Sequence, residues 1–210
     1  MAGAHGAGTF YVQALPPGEP VAESLRSTEP LHLAEPCMVQ VVVRPGDAIT
    51  DYMMEVLGTP FVMMPRRTPG GAHQADDAMG FDCAGLAVYG ARRAGLEVQY
   101  LGPHGILRYL DAVVPGVYSP VNEDGLSVYR DSGGLAVPVG DAGLVPGDIL
   151  HQCTQVSVFL EDRGVEGLLD SGDLVIQSWF DGPMICTLGE NGFHGIPLMV
   201  MRWSAPVVAP

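Results

Sequence analysis

The chain contains no lysine. All ten basic residues are arginine, set against 24 acidic ones, for a net charge of −14. That shortage of positive charge argues against nucleic acid or an anionic membrane as a main partner, since both need a basic face. Charged residues of either sign are few, 16% against 47% hydrophobic, which describes a globular chain rather than a disordered one. Long apolar runs are also missing: none approaches the roughly 20 residues that span a bilayer. Residues 1–20 lack the basic start and apolar run of a signal peptide. Cysteine is sparse. Cys37, Cys83, Cys153 and Cys186 are far apart and form no Cys-x-x-Cys pair, so neither a structural zinc nor an iron–sulfur site is expected. No cofactor and no metal is expected, and the thiols are read as reduced.

What is present fits one sizeable core: 210 residues, with no internal repeat. Residues 1–36 carry Pro16, Pro17, Pro20, Pro30 and Pro36 among small and polar residues, and read as an extended arm rather than a packed element. The β-branched run 38–43 reads as a short strand ending that arm. After Arg44-Pro45-Gly46, Asp47 is placed to cap a helix over 48–57, in which Ile49, Tyr52, Met53, Val56 and Leu57 share one apolar face. A long connection follows over 58–79. It holds His73, Asp76 and Asp77, read as a solvated loop in preference to a metal site, because nothing fixes a ligand geometry.

The stretch Gly80-Phe81-Asp82-Cys83-Ala84-Gly85-Leu86 organises the rest. Asp82 suits an N-cap, and residues 86–94 have helical composition stopped by Gly95. Cys83 therefore falls in a first helical turn, where the dipole and free N–H groups favour a thiolate. Two readings stand: a nucleophile, or a small apolar residue packed under a helix. Farther on, 104–113 reads as a second short helix with Ile106, Leu107, Leu110 and Val113 on one side, and 126–129 as a strand. From Pro146-Gly147-Asp148 the texture changes. Segments 149–153, 155–161, 173–179, 184–188 and 197–203 read as strands separated by turn residues. Helices first and strands second, without βαβ alternation, predict an α+β fold whose helices pack on a central antiparallel sheet.

The order of these parts resembles the NlpC family of papain-like cysteine peptidases, which cleave peptide bonds in bacterial peptidoglycan. Three motifs carry the resemblance: Gly58-Thr59-Pro60-Phe61, Asp82-Cys83-Ala84-Gly85-Leu86 and Pro146-Gly147-Asp148-Ile149. It covers about residues 44–203, leaving 1–43 as the arm with its strand and 204–210 as a tail. Residues 102–110, followed by an aspartate, are similar to the branch of the family found in tail-tip proteins of phages and gene-transfer particles.

The resemblance implies a papain-like fold with Cys83 as nucleophile. It also implies a base at the start of the strand after Pro-Gly-Asp, and a third polar residue on the next strand. The base position holds Gln155 and the third holds Gln177. An amide at 177 can still orient an imidazole. An amide at 155 does not titrate near neutral pH, so it neither takes the thiol proton nor protonates a leaving amine. The best substitute base is His151, four residues earlier, brought toward Cys83 by a bulge or slip; the alternative is a core or edge histidine. His73, His104 and His194 fall on loops, His5 and His32 in the arm.

Two functions follow as expectations. The first is a structural protein of a phage-like tail tip, made in the bacterial cytoplasm, whose peptidase fold has lost its catalytic His and whose arm and sheet bind other tail-tip or hub subunits. The second is an active peptidoglycan endopeptidase of the same particle, with Cys83 attacking, His151 as base, Gln177 orienting it, and the helix N–H groups holding the oxyanion.

Overall fold

The computed structural model describes residues 6–13, 38–123 and 125–204. It is an α+β fold built on a six-stranded, wholly antiparallel sheet. The strands are β3 (Leu110–Ala112), β6 (Ile149–Gln152), β7 (Gln155–Glu161), β8 (Leu174–Trp179), β9 (Gly182–Thr187) and β10 (Met199–Trp203). Their spatial order is β3-β10-β6-β7-β8-β9. The last strand thus inserts beside β6, and the meander β6 to β9 follows it.

Alternation along the strands divides the interior in two. Ile149, Val156, Val158 and Ile176 join one cluster with Phe81, Cys83, Leu86 and Val88 of the helical side. Leu150, Phe159, Val175 and Val200 join the other, with Tyr129, Leu144 and Leu169. The helical side is α1 (Ile49–Met54) and α2 (Cys83–Arg93). The other side is covered by loops and by a hairpin of β4 (Ser119–Glu123) and β5 (Leu126–Arg130). α2 is buried along nearly its whole length, from Cys83 to Ala91. It crosses α1 at Gly90, where a Cβ would stand 2.6 Å from Met53 Cγ and 2.7 Å from Ile49 O, so only glycine fits the crossing.

Several sequence expectations need correction. Residues 8–13 are not an unpacked arm. They form β1 (Gly8–Gln13), paired antiparallel with β2 (Met38–Val43). Ala7 is buried in the helical-side core, and Thr9 binds Leu57 O through its N–H (2.8 Å) and Glu55 O through its hydroxyl (2.8 Å). The proline-rich remainder of the expected arm, 14–37, and the tail 205–210 lie outside the described residues. The helix expected over 48–57 is regular only from Ile49 to Met54. Its N-cap position is Ala48, whose N–H is taken by Asp51 (2.9 Å), while Asp47 pairs with Arg44 instead. The helix expected over 104–113 is one turn, α3 (Pro103–Ile106), then a 3-10 turn over Leu107–Tyr109, then β3. Pairing of Leu110 with Trp203 on β10 overrides the helical spacing of its apolar residues. Among the described residues, no helix is long and apolar enough to cross a membrane.

Candidate functional site

Asp82 caps α2 as its position suggests. One carboxylate oxygen accepts the Gly85 N–H (2.6 Å) and the other accepts the Met64 N–H (3.1 Å), tying the long 58–80 connection to the start of the helix. Cys83 follows in the first turn, 8% exposed. Its sulfur lies against the start of β7, where the Val156 N–H points at it and Thr154 O is 3.9 Å away. The dipole does not decide its ionisation. Burial does, pushing the thiol up to about 11, against the backbone N–H groups that favour the anion; the Asp82 charge adds to the rise. The expectation of an easily ionised thiol is therefore reversed: desolvation outweighs the helix start.

Gln155 lies between those two contacts in sequence, at the start of β7, and is fully buried. Its Nε2 donates to Gln177 Oε1 at 2.8 Å. The two positions that the resemblance assigns to base and orienter are thus in contact, as a pair of amides. Ser157 also donates to Gln177 Oε1 (3.2 Å), and Gln177 Nε2 donates to Asn191 O (2.9 Å) and toward Cys186 Sγ (3.6 Å). Asn191 Nδ2 continues to Gln152 Oε1 (2.9 Å), and Gln152 Nε2 ends the chain on Phe193 O (3.1 Å). The result is a buried amide network spanning β6, β7, β8 and the 189–196 turns. Gln155 Oε1 is its one loose end, buried with no hydrogen-bond partner among the described residues.

His151 is opposite Val156 in the β6–β7 register, hence on the α2 side of the sheet. No bulge or slip carries it to the thiol. Its ring turns to α3, with Nε2 3.2 Å from Pro103 O, and burial lowers its pKa below the usual imidazole value. Its Nδ1 has no partner among the described residues, so neither His151 nor Gln155 Oε1 receives the Cys83 proton. The remaining histidines are elsewhere. His73 stacks on Tyr100 (3.8 Å between centroids), whose hydroxyl donates to Asp76. His104 lies 5.8 Å from the His151 ring, and His194 approaches Ser127 (3.4 Å). Among the described residues, no group of three His, Cys, Asp or Glu is placed to hold a metal.

Of the residues singled out from the sequence, the structure brings Gln155 and Gln177 into contact; Gln152, Ser157 and Asn191, which join them in the network, were not singled out. A signal existed for Gln152 and Ser157: polar residues at inward positions of otherwise apolar strands need buried partners. Asn191 sits among turn residues, where an asparagine carries no such signal.

Chemically, the arrangement holds a protonated thiol against the backbone at the start of β7, while the amides at 155 and 177 cannot exchange protons. Compared with protein-family models the chain matches none, and no curated protein matches it.

Proposed function

We propose that this chain is a non-hydrolytic structural protein of a phage-like tail tip, built on an NlpC-type papain-like scaffold. The observation that carries the absence of hydrolysis is the Gln155–Gln177 amide pair, 2.8 Å apart, at the base and orienter positions. Attack by Cys83 needs a base for its proton and an acid for the leaving amine, and an amide is neither. The thiol itself, pushed up to about 11, is protonated at neutral pH.

The tail-tip assignment rests on the resemblance of residues 102–111 and on surface chemistry that suits assembly. The β1–β2 ribbon has no charged residue in either strand, although natural sheet edges are commonly protected by charge. Its Val41, Val42 and Val43 are each at least 41% exposed. Other tail-tip or hub subunits are the partners this reading expects. Mass spectrometry of purified particles from the source bacterium tests it: the chain should co-purify with tail proteins in fixed ratio. Its absence from such particles contradicts the assignment.

One observation favours the second reading, an endopeptidase of the same particle. His151 occupies the α2 side of the sheet with an Nδ1 lone pair that is unbonded among the described residues, the form a general base needs. Release of muropeptides that is lost in both Cys83→Ala and His151→Ala would establish it.

A further inference from the structure

A cavity near the turn of the β6–β7 hairpin carries an inference that does not use the Cys83 thiol and does not depend on the function proposed above. His151 is 3% exposed, with Nε2 3.2 Å from Pro103 O. A carbonyl only accepts, so Nε2 bears the ring hydrogen and Nδ1 presents a lone pair. That lone pair is unpartnered among the described residues and closed off even from a water molecule, so a ligand's donor meets it only when the His151 ring turns toward the cavity that His151 lines. Buried acceptors without a donor are uncommon in folded proteins, and each calls for an explanation.

His151 lines a cavity of about 360 Å³ together with His104, Val117, Cys153, Leu198 and Met199. The size suits a ring-sized ligand or somewhat larger. Among the described residues no Asp, Glu or Arg lines it, so its described walls offer no counter-charge to an ionic ligand. Two of its walls are sulfur, from Cys153 and Met199, and sulfur packs favourably on aromatic rings. His104 stands exposed at the rim, its ring tilted 49° to that of His151. Uncharged walls, sulfur contacts and one buried acceptor together specify the ligand.

We propose that this cavity binds a neutral aromatic ring bearing a single O–H or N–H donor, a phenol being the simplest case, with the donor bonded to His151 Nδ1. The ring packs between Met199, Leu198 and Val117, and Cys153 closes the solvent side.

The test uses p-cresol and toluene, which share the ring and the methyl group and differ only in the donor. Each is titrated into the full chain and followed by NMR. p-Cresol should bind about tenfold more tightly than toluene, because only it satisfies the buried acceptor. His151→Phe keeps a ring of similar volume without the lone pair and should erase that preference. Val117→Trp, at a rim position that is 55% exposed, should block both ligands without disturbing the core. p-Cresol should also slow alkylation of the exposed Cys153 by iodoacetamide, read by peptide mass. Equal affinity for the two ligands, binding unchanged in Val117→Trp, or Cys153 alkylated at the same rate with and without p-cresol would each overturn the proposal.

Discussion

Cys83 and Gln155 show how a single residue's environment decides its chemistry. At pH 8, three units below the value of about 11 set by burial, about one Cys83 thiol in a thousand is ionised. Iodoacetamide should therefore label exposed Cys153 well before Cys83, and Cys83 should respond only toward strongly alkaline pH. Gln155→His places an imidazole beside Gln177 Oε1, which can accept its N–H. Labelling of Cys83 near neutral pH should then rise, as measured by peptide mass spectrometry. An unchanged rate would show that position 155 does not address the thiol. The amide network makes a second residue-level prediction. Gln177→Leu leaves the Ser157 hydroxyl, the Gln155 amide and Asn191 O without a partner, and should cost about 2–4 kcal/mol in urea unfolding. Gln155→Leu removes an oxygen that has no partner among the described residues and leaves Ser157 on Gln177, so it should cost about 1 kcal/mol or less.

At the scale of elements, α2 and the strands from β6 to β10 were legible because local signals agreed. Asp82 capped the helix, Gly95 closed it, and β-branched runs alternated with turns. Elements set by distant pairing were not legible. The run Thr9-Phe10-Tyr11-Val12 is strand-like in composition, but its partner β2 lies beyond 24 intervening residues, and the prolines there dominated the reading. Leu110 fits a helical face as well as a strand, and its partner Trp203 lies at the far end of the chain. The α1–α2 crossing was equally hidden, because nothing local marks Gly90 as a contact. Gly90→Ala should destabilise the protein by about 2 kcal/mol or more, although alanine gains about 1 kcal/mol in helix propensity. A thermal melt that shows Gly90→Ala unchanged or stabilised would refute the close packing at Met53 and Ile49.

For the whole molecule, acidity is the dominant feature, and some of it is buried. Asp173 is fully enclosed beside Asp170, and burial pushes its carboxyl up to about 6, against three backbone N–H groups that favour the anion. The folded value lies above the unfolded one of about 3.9, so the native state binds more protons between them. Asp173 thus contributes stability that falls as pH rises from about 4 to about 6. His151 acts in the opposite sense: its lowered pKa means stability is lost as pH falls below the unfolded value of about 6.5. Urea unfolding across pH 4–7 separates the two, since Asp173→Asn should remove the first slope and leave the second. Identical profiles for the two proteins would contradict the assignment to Asp173.

The composition made the chain's acidity plain, but not which carboxylates the fold would enclose. That position 155 holds no group able to exchange protons was legible from one residue, Gln155, because a carboxamide carries its chemistry wherever it is placed. The state of the thiol was not, because desolvation depends on what β7 lays over it. The most direct test of the central claim is incubation of the purified full chain with peptidoglycan, with soluble muropeptides followed by chromatography and mass spectrometry. The account predicts no release above that of Cys83→Ala. Release of peptide-cleaved muropeptides that disappears in Cys83→Ala would contradict it.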